Sequence, residues 1–321
     1  MSILTSSFPD QFRALVFGAS GGIGAALMAA LAPRCDVLGV ARNPTGDLLP
    51  GDICDEASLA ALAETLKGAR FHLIINATGL LHDAEAGVQP EKALKHLDAE
   101  KMARVLAVNA IGPAMVMKYF LPLMAREEKA VMAHLSARVG SISDNRMGGW
   151  TSYRAAKAAQ NMIVKNGAIE TARRDKQKII IGLHPGTVET DLSAPFRGGV
   201  AASKLFTPDQ SAGYLLDVID KMTPENSGHV FAYKDCGKKF NPQNSINRHN
   251  KLVCGKPHHR KSFCHFFMWG KDHHCIEEII LNRNVWGEEE RKRTVLASSR
   301  KRADILYPLK WKSIVLVFNK I

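Results

Sequence analysis

The chain has 321 residues, 46% of them hydrophobic, enough to bury one large core or two smaller ones. No apolar run of about 18 residues is read, so no membrane span is expected. The first residues, MSILTSSFPDQF, lack the basic start and apolar stretch of a signal peptide, so the expected location is cytoplasmic. The net charge of +12 is unevenly placed: residues 1–234 hold 25 Lys+Arg against 23 Asp+Glu, a net of +2, whereas residues 235–321 hold 18 against 8, a net of +10. The second segment also carries four of the six cysteines and half of the twelve histidines, which puts a boundary near Lys234. Disulfide frameworks belong to small secreted chains, so none is expected from these cysteines.

In chain order, Phe12 to Phe17 reads as a short buried strand, followed by Gly18-Ala19-Ser20-Gly21-Gly22-Ile23-Gly24 and a helical run from Ala25 to Ala32. Strand, glycine turn and helix aim backbone N–H groups at a phosphate, and the glycines let a pyrophosphate approach the backbone. Asp36 to Ala41 reads as a second parallel strand ending in Arg42. An acidic residue there suits the ribose hydroxyl of NAD; a basic one suits the extra phosphate of NADP, so Arg42 favours NADP, with NAD as the alternative. Asp52 and Ile53, after a third short strand, are placed to flank the adenine. Phe71 to Ile75 is a largely apolar run, as expected of a strand buried on both faces, and leads into Asn76-Ala77-Thr78-Gly79.

Glu100 to Asn109 reads as a helix whose pattern continues from Ala110 to Ala125, past Pro113. Val131 to Leu135 is a strand ending in Ser136, and Ile179 to Leu183 is a sixth strand, followed by His184-Pro185-Gly186-Thr187-Val188-Glu189-Thr190. Val230 to Ala232 is a seventh. Strands alternating with helices at this spacing imply a doubly wound parallel α/β sheet, with each polar motif at the carboxyl edge where such sheets bind ligands. Between the fifth and sixth strands lies Ser152-Tyr153-Arg154-Ala155-Ala156-Lys157. On a helix, Tyr153 and Lys157 share one face, one turn apart. An ammonium beside a phenol lowers the phenol pKa from its free value of ~10, toward proton transfer near neutrality. His134 and His184 read as packed histidines, and His72 and His82 carry no motif.

Assembled, these motifs resemble the short-chain dehydrogenase/reductase family over residues 12–234, within it most nearly a C-factor-like branch. The resemblance rests on the glycine motif, Asn76-Ala77-Thr78-Gly79, Asn109, Ser136, Tyr153-x-x-x-Lys157 and Pro185 to Thr190. It implies a Rossmann-type fold and an oxidoreductase moving a hydride between NADP and a carbonyl or secondary alcohol. Tyr153 is then the proton donor and acceptor, and Lys157 lowers its pKa and holds the nicotinamide ribose. Ser136 hydrogen-bonds the developing alkoxide, and Asn109 supports a proton relay. Gly18, Ser20, Gly22, Ile23 and Gly24 line the dinucleotide, with Asn76, Pro185, Val188 and Thr190 toward its nicotinamide end. The family also implies a homodimer or homotetramer through the helices carrying Lys101–Tyr119 and Tyr153–Arg173, and a specificity loop near residues 191–207. Two departures stand out: the usual Asn-Asn-Ala-Gly turn is Asn76-Ala77-Thr78-Gly79, and Ser136 lies 17 residues before Tyr153, with Asp144 to Gly149 suiting a longer substrate-side loop.

The 88 residues after Tyr233 leave the family pattern. Residues 233–254 resemble a degenerate zinc finger, with Cys236, His249 and Cys254 as three ligands and Tyr233 where the first cysteine belongs; three ligands make an incomplete structural site. No pattern packs residues 255–321 into a domain, so the extension is read as a basic Cys/His-containing tail that makes nucleic acid a weakly supported partner. Two other classes are carried beside the enzyme: a dinucleotide-binding regulatory protein with little turnover, and a nucleic-acid-binding fusion acting through the tail.

Overall fold

The computed structural model describes residues 7–198, 201 and 204–232. The boundary near Lys234, the finger-like segment with Cys236, His249 and Cys254, and the rest of the basic tail lie outside the described residues.

Seven strands form one parallel sheet: β1 (Arg13–Phe17), β2 (Asp36–Ala41), β3 (Leu49–Pro50), β4 (Leu73–Asn76), β5 (Ala130–Leu135), β6 (Lys178–His184) and, after a separate pair, β9 (Val230–Ala232). The pair is β7 (Thr187–Val188) with β8 (Leu205–Phe206), a two-stranded parallel ladder beside the main sheet. The main order is β3-β2-β1-β4-β5-β6-β9, so the winding reverses between β1 and β4. Every residue of β4 and β5 is buried, because helices cover both faces. On one face α1 (Gly22–Leu31) and α6 (Pro208–Asp220) pack Leu27, Leu31, Leu215, Leu216 and Ile219 against the sheet. On the other, α2 (Glu56–Thr65), α4 (Gly112–Phe120) and α5 (Thr151–Ala172) contribute Leu59, Val116, Phe120 and Val164.

Local chemistry sets the starts of several helices. Asp55 caps α2 through the Ala57 N–H, Asp98 caps α3 (Ala99–Leu106) through the Lys101 N–H, and Thr207 with Gln210 forms a reciprocal capping box at α6.

The expected continuous helix from Glu100 to Ala125 is interrupted. Between α3 and α4, residues Ala107–Ile111 form a π turn, closed by the Gly112 N–H bonding to the Ala107 carbonyl. The absence of a membrane-length run is also corrected. The helical run Ala99–Leu123 contains an 18-residue window of mean hydropathy 1.4 and so is long and apolar enough to cross a membrane by length and composition, among the described residues. Here Val105, Ala110, Val116, Met117 and Phe120 of that run are buried in the α/β layers.

Candidate functional site

The reversal between β1 and β4 opens a cleft of about 440 Å³ at the carboxyl ends of the strands, a size that suits a small-molecule ligand. One end is the glycine turn. Gly18 takes a φ of +76°, and its N–H and that of Ala19 both donate to the Val40 carbonyl, at 2.9 and 3.0 Å. A Cβ on Gly24 would lie 2.0 Å from the Gly18 carbonyl oxygen, so only glycine lets α1 start this close to the strand. The N-cap Gly21 brings no side-chain bond and the first turn holds no acidic residue, which leaves the helix N–H groups and dipole to face the cleft. Gly18, Ser20, Gly22, Ile23 and Gly24 all line it, as do Arg42 beyond β2 and Asp52 and Ile53 beyond β3. The Asp52 carboxylate accepts the Cys54 N–H at 2.9 Å, which fixes that corner.

At the other end stand Ser136, Tyr153 and Lys157, with Pro185 and Thr190 beside them. Ser136 follows β5; its N–H donates to the Leu183 carbonyl (2.7 Å) and its hydroxyl to Asn161 Oδ1 (2.6 Å). Tyr153 and Lys157 lie one turn apart on α5, as the spacing predicts, and the Lys157 Nζ is 5.7 Å from the Tyr153 ring centroid. The ammonium donates to the Leu135 carbonyl (2.9 Å) and to Gln160 Oε1 (3.0 Å), not to the phenol. This corrects the expected electrostatics. Burial pushes the Tyr153 phenol up to about 12, because the charged form is desolvated. Burial pulls Lys157 down to about 7.

Three residues expected at the cleft do not line it. Asn76 is buried behind the wall: its Oδ1 accepts from the Thr78 N–H (3.1 Å) and hydroxyl (2.6 Å), and its Nδ2 lies 3.4 Å from His134 Nδ1. It shapes the turn, and Ala77, Thr78, Gly79 and Leu80 provide the surface. Asn109, within the π turn, is fully buried and clasps Leu80, donating to its carbonyl at 2.7 Å and accepting its N–H at 3.2 Å. Val188 is buried as part of β7.

The sequence reading passed over Gln160 and Asn161, although they stand three and four residues beyond Lys157 and so share its helix face. It also passed over an aromatic group beside Tyr153. Trp150 meets Tyr153 edge-on (centroids 6.4 Å, 71°) and Phe196 (5.2 Å, 64°), and Phe196 meets His82 (5.7 Å, 67°). His82 is held by a hydrogen bond between its Nε2 and the Asp191 carbonyl, 3.0 Å.

His134 lies fully buried in β5, and burial with the nearby Lys157 charge pulls it from 6.5 down to about 3. The unfolded chain therefore binds a proton near pH 6.5 that the folded chain refuses until near pH 3, so this group lowers stability as pH falls through that window. His184, held at about 4 by burial and Arg138, acts in the same direction. Tm is expected to drop between pH 7 and pH 5, and His134→Gln, which keeps an acceptor for Asn76, to shrink that drop; an identical drop in the variant would remove His134 as a cause.

Comparison with known proteins gives the same family by independent routes. The short chain dehydrogenase profile matches residues 13–200. The 1-hydroxy-2-glutathionyl-2-methyl-3-butene dehydrogenase of Rhodococcus sp. (strain AD45) is 33% identical over 232 residues, covering 69% of this chain and 96% of that protein. The C-signal of Myxococcus xanthus is 37% identical over 142 residues, covering 44% of this chain and 80% of that protein. Among solved structures, the NADPH-bound carbonyl reductase from chicken fatty liver superposes with a TM-score of 0.61 at 26% identity, over 70% of this chain and 98% of that one. With a glycine turn, a Ser136–Tyr153–Lys157 group and a profile match over most of the described residues, the chain belongs to the short-chain dehydrogenase family.

Proposed function

We propose that the chain is an NADP-dependent oxidoreductase acting on a carbonyl or secondary alcohol, with Tyr153 as the group that gives or takes the proton. The observation that carries this reading is that one cleft runs from the glycine turn and Arg42 to Ser136, Tyr153 and Lys157. The bare helix start and the space that a Gly24 Cβ would fill suit a dinucleotide. Gly18, Ser20, Gly22, Ile23 and Gly24 would hold its pyrophosphate, Arg42 a ribose phosphate, Asp52 and Ile53 the adenine, and Pro185 and Thr190 the nicotinamide end. When bound, that cofactor supplies or accepts the hydride.

The chain's own residues handle the oxygen and the proton. A phenol held at about 12 stays protonated at neutral pH and is ready to donate to a carbonyl oxygen. Ser136 lines the same cleft as that phenol, and its hydroxyl is oriented by Asn161. Lys157, pulled to about 7, is a proton store one helical turn behind Tyr153. Asn76 shapes the wall through Thr78 and Asn109 through Leu80, from where Asn109 would support a proton relay. Met162 and Ile169, exposed on α5, and Ile111, exposed before α4, support a homodimer or homotetramer through those helices, which sedimentation velocity separates from a monomer.

The test is oxidation of NADPH and NADH by the full chain against a panel of ketones and aldehydes. NADPH is expected to be preferred by at least ~10-fold in kcat/KM, and Arg42→Ala to erase most of that preference, since one charged contact to a phosphate contributes about 1.5–3 kcal/mol. Equal use of both cofactors would remove NADP preference. Tight NADPH binding without turnover would favour the regulatory reading, to which the likeness to C-signal lends weight. A chain truncated after Tyr233 is expected to keep its turnover, a result that would support a domain boundary near Lys234.

A further inference from the structure

We propose that Glu91 is a positioning residue for Tyr153, acting by holding the first turn of α5 from a segment 61 residues away. The proposal rests on the reading of Tyr153 as the proton donor. Glu91 lies between β4 and α3 and is 8% exposed. Its backbone carbonyl accepts the Trp150 N–H at 2.6 Å. Its Oε2 accepts the Ser152 N–H at 3.2 Å, and its Oε1 accepts the Ser152 hydroxyl. All three bonds fall within the three residues before Tyr153. Among the described residues no cation pairs with this carboxylate. A buried carboxylate without a counter-ion is unfavourable unless it is hydrogen-bonded, and the Ser152 N–H and hydroxyl at the positive end of the helix dipole are what it has here.

The geometry differs from ordinary capping. The N-cap residue of α5 is Trp150, which makes no side-chain cap bond and sits in the left-handed region at a φ of +51°. Gly148 and Gly149 before it are also left-handed, at +66° and +64°. A left-handed tryptophan is strained by roughly 1–3 kcal/mol and persists only where its surroundings hold it. Glu91 does that: a Cβ on Gly149 would stand 3.2 Å from the Glu91 carbonyl oxygen, so the turn folds directly onto this residue. Arg154 closes the turn from within the helix, its Nε donating to the Gly149 carbonyl at 3.0 Å.

Tyr153 therefore stands in the first turn of its helix, where fraying is greatest. Lys157, one turn later, is secured by Leu135 and Gln160. The phenol's place depends on the turn, and the Trp150 ring against the Tyr153 ring passes any shift of the turn to it. A misplacement of ~1 Å at a reacting group costs about 10²-fold in rate.

The experiment measures kcat, KM and NADPH affinity on the full chain for Glu91→Ala, Glu91→Gln and Ser152→Ala, beside Tyr153→Phe, with amide exchange over residues 149–155. Glu91→Ala is expected to lower kcat by ~10–100-fold with KM and NADPH affinity near wild type. Glu91→Gln, which keeps an acceptor, should recover most of that loss, and Ser152→Ala should fall between. Exchange over residues 149–155 should quicken by at least ~10-fold in Glu91→Ala. If Glu91→Ala does not fold, Ser152→Ala carries the test alone. A lowered Tm with unchanged kcat in both Glu91→Ala and Ser152→Ala would reduce the contact to a structural tie and overturn the proposal. Equal losses in the Gln and Ala variants would overturn it too, by assigning the effect to charge. Full turnover in Tyr153→Phe would instead overturn the reading of Tyr153 itself; a dead Tyr153→Phe beside an unimpaired Glu91→Ala would overturn only the positioning role.

Discussion

Tyr153→Phe is expected to lower kcat by roughly 10²–10⁴-fold, the usual range for a positioned proton donor, while NADPH affinity changes little. The substitution removes one oxygen. The ring keeps its edge-on contact with Trp150 and its place above Lys157, so loss of rate cannot be assigned to collapse of the first turn of α5. Lys157 stands one helical turn behind the phenol with its ammonium given to Leu135 and Gln160, and two further polar groups nearby are not equivalent donors. The Ser136 hydroxyl is already donated to Asn161, and His134 is buried behind the wall and neutral, with a pKa near 3. Steady-state rates with cofactor affinity measured separately check this, and a variant within about threefold of wild type in kcat would sink the assignment, since the lower bound of the range is ~10².

Gly24→Ala is the second large effect. The new Cβ would sit 2.0 Å from the Gly18 carbonyl oxygen and 2.8 Å from its carbon, and both are backbone atoms that no rotamer change can move. Either α1 retreats from β1 or the turn opens, and both change the cradle for the pyrophosphate. Overpacking of this kind costs about 1–3 kcal/mol. In a domain of this size it should lower Tm by roughly 2–10 °C. NADPH affinity should fall by at least ~10-fold, because the helix N–H groups no longer converge on the phosphates. Gly21→Ala is the control: its Cβ would meet the Gly18 oxygen at 3.4 Å, an ordinary contact, and its effect should be small. Similar losses in the two variants would mean that the glycines matter for something other than close approach.

The sheet was legible in the sequence because buried parallel strands are apolar runs with sharp ends; β2 and β9 appear with the bounds read for them. The β7–β8 pair was not, since two-residue strands carry no period. The glycine turn, Arg42 and the Tyr153–Lys157 spacing were legible because backbone approach and helix faces follow from residue type and spacing. What spacing cannot tell is depth: Asn76 and Asn109 occupy motif positions, yet they stand behind the wall that Thr78 and Leu80 present, and Val188 is buried in the β7–β8 pair. Nor does it tell direction, for Lys157 turns its ammonium to the Leu135 carbonyl and leaves the phenol to the effects of burial. Glu91 and Ser152 were invisible because nothing local to either announces a partner 61 residues off.

The π turn at Ala107–Ile111 makes the helix that contains it sensitive to length in a way that an unbroken helix is not. An α-helix advances about 100° per residue, so one extra residue rotates everything upstream by that angle relative to everything downstream. The turn thus acts as a phase setter between α3 and α4. With it, α4 keeps Val116 and Phe120 under the sheet while α3 aims Arg104 at Asp83, 2.7 Å away, and Asn109 reaches Leu80. Losing a single residue there would leave both halves helical and out of step, breaking the clasp on the cleft wall and shifting Val108 and Arg104, which line the cleft.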